Sequence, residues 1–576
     1  MPDKFCDVVM KGGITSGVVY PRAIHELSQA FTFKNVGGTS AGAIAACVTA
    51  AAEYQRLKTG SDAGFERVRK IPDEIAGDKL FSLFEPEPET TRVFEIATAA
   101  LGDEPWGEKA TRVFWTAVGA YPHIFALAIL PAIVTAWLAR PIAAGVVTAI
   151  VVLGLGALAF AIAIAGWIVG RVLPRNAFGI CGGAALIDWL DEQVNLAAGR
   201  TKEDPPLTFR DLWGDGDSRA INLEMVTTNL THGRPYHFPR ENDNIPRFYF
   251  KAEELRRVFP KRIVDHLVAG RDESQELSLP DSKDLPIVFA ARLSLSFPVL
   301  FRLVPLHALD YTWVKTEKEP RMTVCWFIDG GLTSNFPIHL FDSMLPQWPT
   351  FGLDLREFHP AYPPSDKEDE NFWMVKKNSE GFGENWNVFA ETVTNVSVNG
   401  YLGAILNTMQ NWRDNTQQRL PGYRDRIAHV KLRPIEGGLN LKMPKDRVEK
   451  LAERGRGAAA ELRNRFTKND HELDWNNHRF VRYLTAMSHL ENALGQIDRA
   501  MAGSGNGGAT YEQILSRVNP ENPTTGYKDK VVELRAIGTS RIQHLRGVLN
   551  EWRKSKPRYP DLAPKPTSDL QITPRF

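Results

Sequence analysis

The sequence predicts an α/β fold that is interrupted by a long apolar insertion, and three observations support this prediction. A buried strand, a glycine-rich turn, a helix and a second strand follow one another within the first 40 residues. A glycine-bounded serine comes directly after the second strand and before an alanine-rich helix. The stretch between Arg112 and Arg171 contains one charged residue, Arg140. The first two features are typical of a sheet with parallel strands, and the third of helices that avoid water.

The N-terminal unit is a strand, a turn, a helix and a second strand. The apolar run Phe5–Met10 predicts a buried strand, Val18–Phe31 has helical periodicity, and Phe33–Gly37 predicts the next strand. Two strands joined in this way pair in parallel. Active sites of parallel sheets lie at the carboxyl ends of the strands. We therefore expect the first turn, Lys11–Gly17, to lie close to the residues that follow the second strand.

Ser40 is the candidate nucleophile. The residues G-T-S-A-G at 38–42 match the G-x-S-x-G pattern and lie between a strand and the helix-forming run Ala41–Ala51, which is the context that this pattern requires. Glycine is needed at 38 and 42 because a side chain there would collide with the neighbouring strand and helix. Free N–H groups at the start of the helix favour a developing negative charge. A loop that only caps a buried helix would contain the same residues.

The first turn and a distant aspartate supply the other groups that ester hydrolysis needs. Backbone N–H groups of Gly12 and Gly13 can point at the oxygen of a carbonyl attacked by Ser40. Val324–Ile328 predicts an apolar strand, and Asp329 follows at its carboxyl end before two glycines. A carboxylate at this position can accept the serine proton as a general base. An Asp-Gly turn without a catalytic role would look the same.

Together these motifs resemble those of the patatin-like phospholipase family. The resemblance rests on G-G at 12–13, G-T-S-A-G at 38–42 and D-G-G-x-x-x-N-x-P at 329–337. Three further segments resemble intermediate parts of that family: Leu186–Leu190, Leu207–Leu212 and Ala290–Phe301. The resemblance covers roughly residues 1–60 and 179–355.

The resemblance implies a three-layer α/β/α core and a serine lipid acyl hydrolase that uses a Ser–Asp dyad instead of a triad. Ser40 would be the nucleophile and Asp329 the base, with an acyl-enzyme intermediate and no cofactor or metal. The amides of Gly12, Gly13 and Ile14 would form the oxyanion hole, and the remaining motif glycines would be Gly17, Gly38, Gly42, Gly330 and Gly331.

Two residues of the first turn depart from the family pattern. Ile14 replaces the third glycine, and Ser16 replaces a basic residue. Ile14 keeps its backbone N–H, so an oxyanion hole can still form. Without the cation, the turn has less attraction for a phosphate-bearing head group. Ester hydrolysis is therefore a more secure prediction than a phospholipid substrate.

Two alternatives remain open at the level of the sequence. The G-x-S-x-G pattern also occurs in α/β-hydrolases with a Ser, acid and His triad, and His339 or His359 could complete one here. However, 13 histidines are spread over the chain, so one that follows Asp329 is expected by chance. The second alternative is a membrane-anchored scaffold that has lost catalysis and binds lipid or a protein partner.

Residues 110–175 predict a transmembrane helical hairpin that would contact the bilayer through residues 113–170. Val113–Ala139 and Pro141–Gly170 are uncharged stretches of 27 and 30 residues, and as helices both would exceed the ~30 Å hydrocarbon core. Proline at 141 places the tip of the hairpin at residues 139–141. Pro122 and Pro131 would kink the first helix and leave a re-entrant form possible.

Aromatic and small residues predict how this hairpin would sit in a bilayer. Aromatic residues near the helix ends predict an interfacial belt: Trp115, Tyr121, Trp137 and Trp167. Small residues at four-residue spacing predict the face on which the two helices meet: Ala159, Ala163, Gly166 and Gly170. Basic residues flank the base of the hairpin, namely Lys109, Arg112, Arg171 and Arg175, which places the catalytic domain in the cytoplasm.

Length, charge and cysteine content limit the remaining possibilities. A chain of 576 residues predicts two or three domains: a catalytic domain formed by 1–75 and 179–355, the inserted hairpin, and the region that follows. With 69 basic and 68 acidic residues, the chain has no bulk charge for nucleic acid. The four cysteines form no metal-binding pattern and favour a reducing compartment. The N-terminus has no signal-peptide pattern.

The region 356–576 predicts mostly helices and little about function. Trp386–Gln417, Arg447–Phe466, Phe480–Met501 and Lys528–Arg553 have helical spacing, and the mixed charges of the second favour a solvated face. A glycine-rich break lies at 504–508, and a proline-rich tail begins at about 555. A lid, a membrane contact and a partner site are all compatible with this composition.

Overall fold

The structure is a computed structural model. It describes residues 2–101, 105–138, 143–216, 218–241, 246–359, 363–380, 398–433, 435–438, 440–468, 470–503, 508–511, 513–514 and 531–566. The predicted hairpin tip, most of the glycine-rich break and the end of the tail lie outside these ranges.

One large mixed sheet forms the centre of the described residues. The strands are β1 (Lys4–Met10), β2 (Phe31–Gly38), β3 (Gly179–Cys181), β4 (Asn222–Asn229), β5 (Arg234–Phe238), β6 (Tyr249–Phe250), β7 (Leu277–Ser278), β8 (Val299–Phe301), β9 (Val304–Asp310), β10 (Arg321–Asp329), β11 (Thr350–Glu357), β12 (Phe372–Trp373) and β13 (Ile427–Leu432). The order in the sheet is β12-β13-β11-β1-β2-β4-β10-β9-β6-β7, β5 pairs with β4, and β3 and β8 form a separate ladder. Strands β13, β11, β1, β2 and β4 are parallel, and β10 returns antiparallel to β4.

The described residues also form helices. They are α1 (Tyr20–Ser28), α2 (Ala41–Thr59), α3 (Ala63–Ile75), α4 (Asp78–Ser82), α5 (Thr91–Ala99), α6 (Trp106–Ala120), α7 (Pro122–Leu138), α8 (Ala143–Trp167), α9 (Leu173–Arg175), α10 (Ala184–Ala197), α11 (Phe209–Trp213), α12 (Ala252–Leu255), α13 (Lys261–Val268), α14 (Ile287–Ser294), α15 (Val314–Glu317), α16 (Val398–Gln417), α17 (Lys445–Thr467), α18 (Trp475–Ala502), α19 (Val531–Lys554) and α20 (Tyr559–Leu562). A π-helical turn, Ile168–Val172, joins α8 to α9.

Both faces of the sheet are covered, as the alternation of side chains along β1 shows. Val8 and Met10 join the large apolar core with α1, α2 and their neighbours, whereas Val9 points the other way and packs with Phe336, Ile338 and other residues. The α/β fold with layers on both sides of the sheet is therefore confirmed.

The C-terminal region contributes strands as well as helices, which the sequence did not predict. Strand β13 pairs in parallel with β11, so it extends the sheet of the catalytic domain past the boundary expected at residue 355. Helix α17 packs on α1, and its Arg454 is fully buried in ion pairs with Glu436 and Glu368. Charged residues in the first turns of α17 are exposed, as expected, namely Lys445, Asp446, Glu449 and Lys450. Arg454 pairs inside the protein, so α17 has both a solvated face and a buried charge.

The apolar insertion contains one helix that is long and apolar enough to cross a membrane, at Ile150–Arg175. The first half of the insertion is not a single helix. Gly107–Ala120 and Pro122–Val134 are bent by 105° relative to each other, so the chain breaks at Tyr121 immediately before Pro122. Pro131, in contrast, lies inside α7 without ending it. The structure thus agrees with a broken or re-entrant first half.

Helix α8 packs on α7 through a different face from the one predicted. A side chain on Gly156 would lie 2.7 Å from the carbonyl oxygen of Ala128, so the two helices touch there. Phe160 and Ile164 are buried on the same face. The predicted contact residues, Ala159, Ala163, Gly166 and Gly170, are exposed instead. Tyr121 is buried at the bend and not part of an aromatic belt, whereas Trp115, Trp137 and Trp167 are exposed.

Candidate active site

Ser40 lies in a strained turn between β2 and α2. Its φ angle is +56°, in a backbone region that residues other than glycine rarely adopt. Close backbone contacts on both sides of Ser40 keep the turn in this strained conformation. A side chain on Gly38 would lie 2.3 Å from the carbonyl oxygen of Gly42, and one on Gly42 would lie 2.2 Å from that of Met10. The two motif glycines therefore have the steric role that the sequence predicted.

The register of three strands brings Asp329 level with Ser40. Gly38 of β2 pairs with Met225 of β4, and Asp329 of β10 pairs with Thr227, two residues further along β4. Ser40 is also two residues past Gly38. Strand β4 lies between β2 and β10, and β10 runs in the opposite direction to both.

Asp329 is a buried carboxylate with one unpartnered oxygen. Its Oδ1 accepts the N–H of Gly331 at 2.7 Å, while Oδ2 has no hydrogen-bond partner among the described residues. Burial raises the pKa of Asp329 to about 6, and the Ser40 side chain and the Gly331 N–H oppose that rise. The serine hydroxyl therefore lies close enough to influence the pKa of Asp329, although no hydrogen bond of ordinary geometry joins the two side chains.

The first glycine turn lies against Ser40, as predicted. A side chain on Gly12 would lie 3.3 Å from Cβ of Ser40, and one on Gly17 would lie 2.9 Å from Cβ of Ala41. However, the N–H of Gly12 donates to the carbonyl oxygen of Asn335 at 2.8 Å. In this structure it is therefore not directed at an oxyanion. The amides of Gly13 and Ile14 donate to no acceptor among the described residues, so they are the available donors of this turn.

Two groups that support the site were not recognised in the sequence. Ser294, in the segment Ala290–Phe301, accepts the N–H of Ser40 at 3.0 Å and donates to the carbonyl oxygen of Val226 at 2.6 Å. Asp414 of α16 accepts the N–H of Phe336 at 2.7 Å. Because each acts from a distant part of the chain on the backbone of a motif, spacing along the sequence contains no signal for them.

We expect Ser294→Ala to lower kcat for ester hydrolysis about tenfold and to leave KM nearly unchanged. The hydroxyl holds the backbone of Ser40 in its strained conformation, and without it the N–H of Ser40 is buried without a partner. Steady-state kinetics with a short-chain ester measure both constants. Ser294→Cys, whose thiol is a weak acceptor, should retain more activity than Ser294→Ala. An unchanged kcat in Ser294→Ala would contradict this positioning role.

An apolar cleft opens beside the turn. Ile14 and Ala41 line it on the side of the active site, and Leu295 and Phe297 line it from the segment after α14. Ile71, Ile75, Leu80, Leu83 and Phe84 line it from α3, α4 and the residues directly after α4. Ile14 therefore presents its backbone N–H at the turn and its side chain in the cleft.

Neither histidine considered for a triad contacts the candidate base. His339 lies in a 3-10 turn, Ile338–Phe341, and burial lowers its pKa to about 4. His359 lines a separate cleft with Phe358 and Trp373. Among the described residues, no histidine donates to Asp329. The described residues also contain no group of three or more His, Cys, Asp or Glu that could hold a metal ion.

We expect kcat/KM for a neutral ester to rise with pH through about 6 and then to level off. Asp329 can accept the Ser40 proton only when it is ionised, and its pKa is about 6, so protonation at lower pH removes the base. A pH series between about 4.5 and 8 with a fluorogenic ester measures this rise of kcat/KM. The variant His339→Asn should show the same rise, because the pKa of His339 lies near 4. A rate that is flat across the range would contradict Asp329 as the base.

Comparisons with known proteins show the family of this chain. The sequence model described as Patatin-like phospholipase matches residues 8–342, which is more than half of the chain and includes Ser40, Asp329, Ser294 and the first glycine turn. The chain therefore belongs to the patatin-like phospholipase family, a family of lipid hydrolases.

One relative is similar over the full length of this chain. The chain is 32% identical to the protein named RpoH suppressor from Rhizobium meliloti (strain 1021), in an alignment of 653 residues that covers 100% of this chain and 99% of the relative. The crystal structure of VipD from Legionella pneumophila aligns with 96% of this chain and 87% of its own, at 13% identity and a TM-score of 0.31.

Proposed function

We propose that the protein is a membrane-bound lipid acyl ester hydrolase that acts through a Ser–Asp dyad. The observation that carries this proposal is the juxtaposition of Ser40, in its strained turn, with the buried carboxylate of Asp329, one oxygen of which has no partner among the described residues. Strain at a turn of this kind is concentrated at functional sites.

In the proposed reaction, Ser40 Oγ attacks the carbonyl carbon of an acyl ester while its proton passes to Oδ2 of Asp329. The carbonyl oxygen becomes an oxyanion, which the amides of Gly13, Ile14 and Ala41 stabilise. The alcohol leaves with the proton held by Asp329, and the acyl chain remains on Ser40 with its tail in the apolar cleft. Water then attacks the acyl-enzyme, the fatty acid leaves, and Ser40 is restored.

The surface of the insertion supports bilayer contact. Large apolar side chains of α6, α7, α8 and the π-helical turn are exposed along most of the described length, among them Trp115, Leu127, Ile133, Trp137, Ile150, Leu155, Leu158, Ile162 and Val169. Patches of this size are unusual on soluble monomers. Basic residues at the base of the insertion favour a cytoplasmic catalytic domain. Anchoring the site beside the bilayer would raise the local concentration of a lipid substrate.

Reconstitution of the purified full chain in vesicles tests the proposal. Mass spectrometry of the lipids before and after incubation should show release of free fatty acid and the matching lysolipid or glycerolipid product. A water-soluble ester in the same vesicles reports catalysis that does not depend on lipid access. If the chain binds vesicles but cleaves neither substrate, the alternative of a catalytically inactive scaffold is favoured.

We expect Ile14→Gly to shift the acyl preference toward longer or bulkier chains. The side chain of Ile14 narrows the apolar cleft on the side nearest Ser40, and its φ angle of −83° requires no glycine. A methylene difference in an apolar site changes selectivity by about tenfold or more. kcat/KM across p-nitrophenyl esters of increasing chain length measures the shift. Ile75→Ala, on the far wall, provides the matched comparison, and an unchanged profile in Ile14→Gly would contradict this role.

A further inference from the structure

The ladder formed by β3 and β8 lies between the end of the apolar insertion and the active site. Gly179 pairs with Val299, and Cys181 pairs with Phe301. On one side, β3 follows four residues after α9, the last turn of the insertion. On the other side, the segment before β8 supports the site, because the carbonyl oxygen of Ser296 accepts the N–H of Asp329 at 3.0 Å.

Two bulky apolar residues on this ladder are exposed in a backbone conformation that they rarely adopt. Phe178 has a φ angle of +59° and Val299 one of +68°. Each is 51% exposed. For a β-branched residue such as Val299 a positive φ is an outlier. Because both side chains are half exposed, they add little to the apolar core, and core packing does not explain why the chain adopts these strained conformations.

The surrounding backbone holds both residues in place. The N–H of Phe178 donates to the carbonyl oxygen of Leu173 at 2.7 Å, which closes the end of α9. Strand β3 also approaches the chain after β8 closely, because a side chain on Gly179 would lie 2.0 Å from the backbone nitrogen of Arg302. The two residues therefore lie at the starts of two paired strands, Phe178 directly before Gly179 and Val299 opposite Gly179.

The position of this pair links the apolar insertion to the acyl cleft. Phe178 lies three residues after the end of the candidate membrane span, Ile150–Arg175. In that span Arg171 stacks over the ring of Trp167 at 5.4 Å, a pairing typical of the membrane–water interface. Phe297 and Phe301, on either side of Val299, line the apolar cleft.

We infer that Phe178 and Val299 form an insertion lip that enters the bilayer beside the apolar insertion and admits lipid acyl chains from the membrane into the cleft. This inference rests on the proposed function for its substrate. The partner of the lip is the lipid bilayer, because the lip is apolar and uncharged and Phe178 lies three residues after the candidate membrane span. Side chains that enter the hydrocarbon layer gain the free energy of apolar burial.

The first test uses Val299→Gly and Phe178→Gly in the full chain reconstituted in phosphatidylglycerol–phosphatidylcholine vesicles. We expect each variant to hydrolyse the vesicle lipid about tenfold more slowly, since most of the burial free energy of one large side chain is lost. Hydrolysis of a water-soluble short-chain ester in the same vesicles should stay within about twofold of the parent. Glycine relieves the positive φ, so the unfolding midpoint should not fall.

The second test measures membrane contact without catalysis. The four native cysteines are buried, so an environment-sensitive fluorophore can be attached at Phe178→Cys or Val299→Cys. We expect emission from both sites to shift to the blue in vesicles and to be quenched by acyl chains that carry bromine. Tyr311→Cys is the control. Tyr311 is exposed and directly follows Asp310, which pairs with Arg321 at the start of β10. Arg321 lies about 27 Å along β10 from Asp329, so Tyr311 is far from the active site.

Two results would overturn the insertion lip. The first is that both glycine variants lose vesicle-lipid hydrolysis and soluble-ester hydrolysis to the same extent, or lose neither. The other is quenching at 178 and 299 that is no stronger than at 311, which would indicate a surface in water or one for a soluble protein. If the parent chain hydrolyses neither substrate, the proposed function fails, and the fluorescence measurement still decides whether the lip enters the membrane.

Discussion

Ser40→Ala is expected to lower kcat/KM for ester hydrolysis by about 10⁴-fold or more, because removal of the nucleophile leaves only the oxyanion donors and binding. The same substitution should abolish labelling by a fluorophosphonate probe, which reacts with an activated serine. Asp329→Asn should lower kcat/KM by about 10³- to 10⁴-fold, since an amide cannot accept the serine proton. Steady-state kinetics and probe labelling of the three purified proteins measure these effects.

Stability separates a catalytic role of Asp329 from a structural one. Burial raises the pKa of Asp329 from 3.8 to about 6, so the folded state disfavours ionisation, and stability is lost as pH rises from about 4 to 6. Asparagine has no charge and can still accept the N–H of Gly331. The unfolding midpoint of Asp329→Asn at pH 7.5 should therefore equal or exceed that of the parent.

A nearby serine provides the matched control for Ser40. Ser334 is buried, and its Oγ has no hydrogen-bond partner among the described residues. Ser334→Ala should therefore keep both hydrolysis and probe labelling. If Ser40→Ala is labelled as strongly as the parent, Ser40 is not the nucleophile, and the dyad is wrong.

Gly42→Ala is expected to lower the free energy of unfolding by about 3 kcal/mol, at the upper end of the cost of overpacking, and to remove most of the activity. The added methyl group would lie 2.2 Å from the carbonyl oxygen of Met10 and 2.8 Å from that of Lys11. Both atoms belong to the backbone that leads into the first glycine turn. Relief of the collision therefore moves the turn away from Ser40, and a displacement of about 1 Å can cost about 10²-fold in rate.

Denaturant unfolding and ester hydrolysis measure the two effects of Gly42→Ala. Gly547→Ala is the matched control, since Gly547 lies in α19 with no atom within 4 Å of an added methyl group. Alanine in a helix is more stable than glycine by about 0.5–1 kcal/mol, so this control should be neutral or stabilising. Parent-like stability and rate in Gly42→Ala would show that the elbow tolerates a side chain, against the steric argument.

The motifs of the active site were predictable from the sequence because they depend on local chemistry. The strand, elbow and helix around Ser40 follow from apolar runs and glycines within a few residues of one another, and the structure has them as β2, the strained turn and α2. The same holds for the strand that ends at Asp329. The proximity of Gly12 to Ser40 followed from the geometry of parallel strands alone.

Other features could not be predicted because they depend on contacts between distant parts of the chain. The direction of β10 and the insertion of β4 beside it depend on sheet pairing, which has no local signal. The carbonyl of Asn335 engages the N–H of Gly12 from more than 300 residues away. Similarly, β13 joins the catalytic sheet through its pairing with β11, although the sequence of residues 356–576 predicts mostly helices.

The sequence by itself determined the strand, turn and helix around Ser40 and the apolar composition of residues 113–170, because both depend only on residues that are close together in the chain. Tertiary structure alone decided which backbone amides remain free for an oxyanion and where α7 meets α8 at Gly156. It also decided that Phe178 and Val299 stand exposed beside the site. These features depend on which distant segments pack together, and the local sequence is compatible with more than one such packing.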